Sequence, residues 1–239
     1  MSHVAFLLKT YPKSSETFIS NQITALRNRG HTVDVYARER PSEPGTTTRA
    51  NPSDVAYLGP LGLPDFALSV FRTQIPALAS HPTYPLLVMR YGTNAVTQRD
   101  LWLRRARLLG DRLDEYDVIH AHYGPVGNGV RTLASAADTP FITSFYGYDA
   151  SELLEKNPWR YESLFRAVDT VTSLSSDMDD RLVAHGCPRR RIVRVPLPVD
   201  TSSFQYAPTV VDEVETVELL SACRLVEKKG LRYVIDALD

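Results

Sequence analysis

The feature that most constrains the fold is an alternation of short apolar runs with segments of helical period. Residues 4–8 form a continuous apolar run, which is typical of a strand covered on both faces. A segment of helical spacing follows and stops near Gly30, a residue type that commonly ends helices. Its apolar positions are Ile19, Ile23 and Leu26. Residues 31–36 alternate as a second strand, so this part of the chain predicts a β-α-β unit with parallel strands.

The same alternation continues through most of the chain. Further strands are predicted at residues 117–122, 140–143, 170–172 and 192–195. Helices are predicted at about 65–79 and 84–113, from Pro125 onward, and from Ser175 or Ser176 to Gly186. Residues 40–64 are rich in Pro, Gly, Ser and Thr and are predicted to be irregular. This order of elements predicts an α/β fold with a doubly wound parallel sheet, that is, a Rossmann-like domain.

The pattern changes near residue 200. We predict a first domain over residues 1–200, a linker over 201–216, and the start of a second, incomplete Rossmann-like domain over 217–239. In this last part, residues 217–222 predict a strand. A helix face follows, made of Leu231, Val234, Ile235 and Leu238. One strand and one short helix cannot bury their apolar faces unaided, so we expect this part to be poorly anchored.

Composition and missing motifs argue against several functional classes. Lys and Arg number 27 and Asp and Glu number 28, and this balance disfavours nucleic acid as the main partner. The two cysteines form no CxxC pair, which indicates a reducing compartment. The sequence shows no signal peptide and no long apolar run, so a cytoplasmic location is expected. The glycine-rich dinucleotide motif, the P-loop, the HExxH motif and the GxSxG motif are also missing.

Two histidines lie near the end of the predicted strand 117–122. His120 and His122 are two positions apart, so they share a face of the strand. Three interpretations stay open: one histidine packs while the other faces a cleft, the two form a metal pair, or one of them contacts substrate. His122 is the better candidate for a substrate contact, because ligands of open α/β sheets bind at the carboxyl ends of the strands.

Two further loops carry candidate site residues in the first domain. In the loop over residues 145–149, Gly147 permits close approach of a ligand and Asp149 can bind hydroxyl groups, although a tight turn with aromatic packing explains the loop as well. Before the first helix, residues 14–17 can form an anion or sugar-hydroxyl site, but helix capping by Ser15 or Thr17 is an equally good explanation.

The last candidate lies in the segment 223–230. Arg224 and Lys229 can both point at the N-terminus of the following helix, where a diphosphate would be stabilised. A solvated charged turn accounts for the same residues on physical grounds alone.

Five segments, taken in order, resemble glycosyltransferase family 4, whose members have the two-domain GT-B fold. They are residues 15–18, 120–123, 145–149, 195–200 with Phe204, and 224–230. The resemblance implies retaining transfer of a hexosyl group from a nucleotide sugar to an acceptor hydroxyl, with no metal and no other cofactor. It also implies that the first domain binds the acceptor and the second domain binds the donor.

The resemblance gives each candidate residue a role. It assigns the donor diphosphate to Arg224 and Lys229. Sugar or acceptor binding falls to Ser15, Glu16, Thr17 and Gly147. The catalytic set is His122, Tyr146 and Asp149.

The chain departs from the family pattern in two ways. Many members have a histidine where this chain has Tyr146, whose ring cannot act as a neutral base near pH 7. Either the main chain makes the donor contact, or His122 takes part of the role, or turnover is altered. The acidic donor-binding motif of the family would lie beyond Asp239, so the chain alone is expected to be an inactive fragment.

The expected partners are a nucleotide sugar and a glycan or lipid-linked acceptor. The predicted helix over 99–112 interleaves arginines with apolar residues, so it can lie on an anionic membrane surface, or pack on the core with its arginines in water. Two other functions stay open: a non-catalytic sugar- or lipid-binding module, and a nucleotide-sugar-processing enzyme such as an epimerase. The donor, the acceptor, and the oligomeric state are not specified by the sequence.

Overall fold

The chain divides into two compact units, Met1–Val199 and Asp200–Asp239. The computed structural model describes residues 1–41, 55–57, 115–137, 139–199, 201, 206 and 218–238. The helices predicted at 65–79 and 84–113, including the basic segment 99–112, lie outside the described residues.

The first unit is built on a seven-stranded sheet with the order β3-β2-β1-β4-β5-β6-β7. Its strands are β1 (His3–Thr10), β2 (Thr32–Glu39), β3 (Val55–Tyr57), β4 (Val118–His122), β5 (Phe141–Ser144), β6 (Thr170–Ser173) and β7 (Ile192–Arg194). All neighbouring strands pair in parallel. The described helices of this unit are α1 (Thr17–Asn28), α2 (Gly124–Ala137), α3 (Glu152–Lys156), α4 (Glu162–Ala167) and α5 (Ser176–Ala184). The predicted doubly wound α/β fold is thereby confirmed.

One strand corrects the sequence prediction. β3 lies inside residues 40–64, which were predicted to be irregular. It is three residues long, too short to show a period, and it forms because Val55 pairs with Val35 along the edge of the sheet. Tertiary pairing therefore decides this element rather than local pattern.

The core lies on both faces of the sheet because side chains alternate along each strand. Phe6 and Leu8 of β1 pack in one buried cluster with Ile19 and Ile23 of α1. Leu7, between them, packs in a second cluster. From α2, α4 and α5, that cluster includes Val126, Val130, Leu164, Phe165 and Leu182. This arrangement explains why β1 is a continuous apolar run.

The signals for helix ends in the sequence are confirmed in two places. α1 is followed by Gly30 with φ 85°, and α5 is followed by Gly186 with φ 93°. The hydroxyl of Ser175 accepts a hydrogen bond from the main-chain N–H of Met178 at 3.2 Å and caps the start of α5.

Helix α2 packs unusually close to β5. A Cβ atom on Gly124 would lie 2.5 Å from the ring of Phe145, and one on Gly127 would lie 2.4 Å from Oγ1 of Thr143. The two glycines therefore allow the N-terminus of α2 to approach the end of β5. This approach brings together the loops that follow β4 and β5.

The second unit has little buried surface among its described residues. The strand predicted over 217–222 is wrong where the structure describes it, because residues 218–222 form neither helix nor strand. A strand needs a neighbour for its hydrogen bonds, and the described part of this unit contains none. A short helix, α6 (Leu231–Asp236), is present, but its apolar residues are exposed, as in Tyr233 and Ile235. The assignment of residues 217–239 to a donor-binding domain stays a prediction.

None of the helices in the described part of the chain is both long and apolar enough to span a bilayer.

Candidate functional site

Three segments of the first unit meet at the carboxyl edge of the sheet. They follow β1, β4 and β5, which are neighbours in the sheet. Between β1 and β4 the order of the strands reverses, and the connections leave in opposite directions. Such a switch point is the usual ligand site of an open α/β sheet. The segments over residues 13–17, 122–124 and 145–149 supply the polar groups described below.

The two histidines of β4 form a stacked, buried pair. Their ring centroids are 4.3 Å apart, with an interplanar angle of 22°. Nε2 of His120 is 2.7 Å from Oγ of Ser144, and Nδ1 of His122 is 2.6 Å from the hydroxyl of Tyr146. The ring of Phe6 packs against both histidines. Each imidazole is therefore fixed by one hydrogen bond and by ring contacts.

Burial keeps both imidazoles neutral. Desolvation lowers the pKa of His120 to about 4. Desolvation also lowers the pKa of His122 well below its ordinary value, and the neighbouring His120 lowers it further. Near pH 7 both rings therefore act as neutral hydrogen-bonding groups. Nε2 of His122 has no hydrogen-bond partner although it is buried.

The structure distinguishes the two histidines in a way that the sequence does not. His122, the favoured substrate contact, is fully buried behind Tyr146. His120 lines a cavity of about 600 Å³ that runs along the sheet beside α1 and residues 195–198. The cavity is also lined by Phe6, Phe18, Ser144 and Tyr146. A direct substrate contact by His122 stays a prediction, and in this conformation the polar neighbour of His122 is the hydroxyl of Tyr146.

A metal site formed by His120 and His122 would need at least one further ligand. In the part of the chain that the structure describes, no group of three His, Cys, Asp or Glu side chains is placed to hold a metal ion. His120 and His122 therefore lack a third ligand within that part.

Tyr146 lies at the centre of an aromatic group. Its ring centroid is 4.8 Å from that of Phe18 on α1 and 4.8 Å from that of Tyr123. Burial raises its pKa above the ordinary value for tyrosine, so the hydroxyl stays protonated. This is the position where the resemblance expects a histidine. The hydroxyl instead reaches His122, so the tyrosine and the neutral histidine form one hydrogen-bonded unit.

Asp149 holds the loop after β5 in place. It is 1% exposed, and its carboxylate accepts main-chain N–H groups of Tyr146 at 2.9 Å and Gly147 at 3.1 Å. It also accepts the N–H of Gly124 at the start of α2, at 2.9 Å. Burial raises the pKa of this carboxyl, while the main-chain donors oppose the increase. A catalytic role for Asp149 stays a prediction, but here its oxygens position the loop rather than face a ligand.

Gly147 has φ 124°, a conformation that L side chains rarely adopt. No atom would lie within 4 Å of a Cβ placed there, so the space beside this residue is open. The main chain at Gly147 is therefore accessible at the edge of the sheet.

The turn before α1 presents a buried carboxylate. Glu16 closes a 3-10 turn (Ser14–Glu16), and Oε1 of its side chain is 2.7 Å from Nζ of Lys13. Ser15 and Thr17 are exposed. The residue that caps α1 is Glu16, and no side chain completes the cap, so capping does not explain either hydroxyl.

Sequence reasoning missed three residues of this cluster. Lys13 binds Glu16, Ser144 binds His120, and the ring of Tyr123 packs against that of Tyr146. Tyr123 is also the one described residue other than glycine with a positive φ, at 75°. Lys13 and Tyr123 directly flank segments that were recognised, so proximity in sequence was the available signal. Nothing in the sequence pattern indicates the backbone conformation of Tyr123.

The predicted diphosphate residues belong to the second unit. Arg224 and Lys229 are both exposed, and Lys229 ends a 3-10 turn (Glu227–Lys229) before Gly230 and α6. Their role in binding a diphosphate stays a prediction.

Comparison with known proteins gives a consistent result. A family model described as a glycosyl transferase 4-like domain matches residues 15–198. The putative colanic acid biosynthesis glycosyltransferase WcaL of Salmonella typhimurium is 30% identical, over 98% of this chain and 59% of that protein. The amylovoran biosynthesis glycosyltransferase AmsK of Erwinia amylovora is 26% identical, over 98% of this chain and 60% of that protein. The chain thus spans about three fifths of the length of these relatives.

Two solved structures share the fold at low sequence identity. Anabaena Alr3699/HepE, in complex with UDP and glucose, has a TM-score of 0.58 and 12% identity, and the match covers 87% of this chain and 48% of that one. The lipopolysaccharide outer core galactosyltransferase WaaB, in its apo form, has a TM-score of 0.52 and 13% identity, and the match covers 88% of this chain and 50% of that one.

Proposed function

Because the chain belongs to the glycosyl transferase 4-like family, we propose that it forms the acceptor-binding half of a glycosyltransferase of exopolysaccharide biosynthesis. The observation that carries the proposal is the polar cluster at the switch point of the sheet, inside the matched residues 15–198. Relatives over nearly the whole chain are named as glycosyltransferases of colanic acid and amylovoran biosynthesis.

The proposed reaction transfers a hexosyl group from a nucleotide sugar to an acceptor hydroxyl, with retention of configuration and without a metal or other cofactor. A nucleotide-sugar donor is supported by the neighbour with UDP and glucose bound. In the proposed mechanism Arg224 and Lys229 bind the departing diphosphate and stabilise its charge. The chemical step then depends mainly on electrostatic stabilisation.

The first unit contributes the contacts to the acceptor. Ser15, Glu16 and Thr17 bind acceptor hydroxyls, and the open main chain at Gly147 admits a sugar ring. In this arrangement the hydroxyl of Tyr146 donates a hydrogen bond to Nδ1 of the neutral His122 at 2.6 Å, with the ring proton of His122 on Nε2. The phenol oxygen is then left to accept a hydrogen bond from a hydroxyl of the acceptor. Asp149 keeps this loop against the N-terminus of α2. Of these groups, the side chains of Glu16, Tyr146 and Asp149 are already held in place by hydrogen bonds.

The acceptor is proposed to be a glycan or a lipid-linked saccharide on the cytoplasmic side of a membrane. The basic segment 99–112 is the proposed membrane contact. Co-sedimentation with anionic vesicles at low and high salt measures binding of the protein to such a membrane. If no salt-sensitive binding is found, the membrane contact is rejected.

The alternative is a non-catalytic sugar- or lipid-binding module. The cavity of about 600 Å³ beside α1, lined by apolar rings and by His120, favours this second candidate. Such a module binds ligand at the first unit without consuming a nucleotide sugar.

The deciding experiment measures UDP release from UDP-glucose in the presence of a panel of saccharides. The assay is run on residues 1–239 and on the full product of the reading frame. We expect release by a product of the relatives' length and none by residues 1–239 alone. Arg224→Ala and Lys229→Ala should each reduce release by about 10-fold or more, as expected for loss of one charge-assisted contact. Saccharide binding without release by any product would favour the alternative.

Tyr146→His restores the residue type that the resemblance expects. If the hydroxyl of Tyr146 serves as proposed, this variant changes the rate of transfer, whereas Tyr148→His at the exposed neighbour leaves it unchanged. Equal rates for wild type and Tyr146→His would remove Tyr146 from the proposed mechanism.

A further inference from the structure

A surface groove lies at the amino edge of the sheet, opposite the candidate site. α4 ends shortly before β6 begins, and α5 ends before β7 begins, so the carbonyl ends of both helices lie at this edge. Residues from both helix ends line the groove, whose volume of about 680 Å³ is typical of ligand sites, which span about 300–1,000 Å³. It shares none of its described residues with the cavity beside α1.

An exposed tryptophan lines this groove. Trp159 is 77% exposed, although tryptophan is highly buried on average in folded proteins. The turn that carries it is held by hydrogen bonds: the main-chain N–H groups of Trp159 and Arg160 donate to the side-chain and main-chain oxygens of Asn157, at 3.2 Å and 3.1 Å. The main-chain carbonyl of Trp159 accepts the N–H of Glu162 at 3.2 Å. A fixed turn therefore presents the indole to water.

Polar side chains that donate and accept hydrogen bonds line the groove together with the indole. They are Glu162, Arg166, His185 and Arg191. Arg191 is already fixed, because its Nη1 donates to the main-chain carbonyls of Phe165 at 2.7 Å and Arg166 at 3.2 Å. His185 is fixed as well, because its Nδ1 lies 2.7 Å from the carbonyl of Arg181. A guanidinium has three nitrogens with N–H groups, so within the described part of the chain Arg191 retains donors for a ligand.

The charges at the groove argue against an anionic ligand. Arg166 forms an ion pair with Glu162, and Arg189, beside the groove, forms one with Asp180. The charge of Arg191 is directed at the carbonyl end of α4. The carbonyl end of α5 lies here too, and such helix ends carry partial negative charge. Little positive charge is thus left to attract a phosphate, an acidic peptide or an anionic membrane.

A neutral pyranose ring matches these features. One face of such a ring presents C–H groups, which pack on a flat aromatic surface, while its rim carries adjacent hydroxyls. Trp159 offers the aromatic surface as a large and rigid contact with little conformational entropy to lose. A carboxylate such as that of Glu162 accepts from two hydroxyls, and a guanidinium such as that of Arg191 donates to two oxygens.

We propose that this groove is a second saccharide site, which binds a neutral segment of a polysaccharide by stacking a pyranose ring on Trp159. The site goes beyond the proposed transfer, because it needs neither the nucleotide sugar nor the polar cluster at the carboxyl edge. It holds a glycan chain on the opposite edge of the sheet from the groups that would react.

The two tryptophans of the chain, Trp102 and Trp159, allow an optical test. In Trp102→Phe of residues 1–239, Trp159 is the one remaining source of indole fluorescence. We expect titration with cellohexaose or maltohexaose to move its emission to shorter wavelength and to protect it from quenching by acrylamide, because the sugar displaces water from the ring. The change should saturate, and it should be the same at low and high salt because the ligand is uncharged.

Substitutions at the ring give the expected size of the effect, measured by isothermal titration calorimetry of residues 1–239 with the same hexasaccharides. Trp159→Ala should weaken binding by about 10-fold or more, whereas Trp159→Tyr keeps an aromatic face and should weaken it by about 5-fold or less. The control is Tyr233→Ala, which removes an aromatic side chain of similar exposure, 76%, from α6 and should leave binding unchanged. Because both side chains are exposed, none of these variants should alter the melting temperature.

The site is overturned if the wild-type chain binds neither hexasaccharide, or if Trp159→Ala binds them as the wild type does. It is also overturned if Trp159 responds to anionic vesicles or to hexagalacturonate in a salt-sensitive manner but not to the neutral saccharides. Glu16→Gln alters the proposed acceptor site and should leave the response of Trp159 unchanged; a lost response would place the saccharide at the carboxyl edge instead. Saccharide binding at Trp159 together with no UDP release by the full product would reject the proposed transfer and support the second site.

Discussion

At the scale of single residues, the stacked histidines make stability depend on pH. His120 has a folded-state pKa of about 4 against an ordinary value of 6.5, because burial disfavours its charged form. The stabilising contribution of a neutral buried histidine is complete above the unfolded pKa and is lost as pH falls toward the folded pKa. For His120 this amounts to roughly 3 kcal/mol, and His122 acts in the same direction.

We therefore expect the free energy of unfolding of residues 1–239, measured with urea, to fall between pH 7 and pH 5. Asp149 opposes this trend at the acidic end of the pH range. Because burial raises the pKa of its carboxyl, protonation of Asp149 favours the folded state as the pH falls. His120→Asn should flatten the profile, since its amide can still bind Ser144 but does not titrate. Equal stability of the wild-type chain at pH 7 and pH 5 would contradict the burial of the pair.

The residues of the site show what sequence can and cannot reveal at this scale. The two-residue spacing correctly predicts that His120 and His122 share a face of β4. It does not show which of them reaches a cavity, because that depends on Tyr146, which is brought over His122 by a different strand. The main-chain role of Asp149 was hidden for the same reason, since it depends on Gly124 at the start of α2.

At the scale of elements, the contact between α2 and β5 limits substitution at Gly127. A methyl group there would lie 2.4 Å from Oγ1 of Thr143, a buried side chain. Overpacking destabilises a fold by about 1–3 kcal/mol, whereas the higher helix propensity of alanine relative to glycine stabilises it by about 1 kcal/mol. Gly127→Ala should therefore lower the free energy of unfolding by up to about 2 kcal/mol, as measured by urea denaturation.

A second substitution makes this prediction specific. Oγ1 of Thr143 has no hydrogen-bond partner among the described residues, so Thr143→Ala removes the obstructing atoms without breaking any described bond. In the Thr143→Ala background, Gly127→Ala should be neutral or stabilising because the methyl group fills the space left by the threonine. Additive losses in the double variant would show that the close approach is not the cause.

The elements also differ in how far the sequence predicts them. β1, β2 and α1 were predicted because each has a clear period or an end signal such as Gly30. β3 was missed because its three residues carry no period and depend on pairing with β2. α3 and α4, with five and six residues, are also too short for the pattern to resolve. The strand predicted over 217–222 is not formed by its described residues 218–222, because the described part of that unit offers no neighbouring strand for their hydrogen bonds.

At the scale of the whole molecule, the two units differ sharply in buried surface. The first unit contains both apolar clusters. Among the described residues of the second unit, apolar side chains are open to water; Leu220 is 94% exposed and Leu225 is 87% exposed. Stability scales with the apolar area buried, so these described residues contribute little to it.

Removal of residues 200–239 should therefore leave the melting midpoint of the first unit within about 3 °C, the shift expected from losing about 1 kcal/mol. The measurement is differential scanning calorimetry of residues 1–199 and 1–239 at the same concentration. The truncated chain should also bind less of a hydrophobic dye. A midpoint lowered by 10 °C or more would show that the second unit stabilises the first.

The pairing of β1 with β4 joins parts of the chain that are far apart in sequence. Val4 pairs with Val118, and the N–H of His3 bonds to Asp117, a separation of 114 positions. The free-energy cost of closing a long loop increases only logarithmically with its length, by about 0.6 kcal/mol for each doubling. A change in the length of the intervening sequence that leaves α1, β2 and β3 intact therefore adds little to the free-energy cost of closing this loop. Lys13 and Glu16 come from one side of this closure and Tyr123 and Tyr146 from the other, so the cluster can stay the same while the sequence between its halves diverges in length.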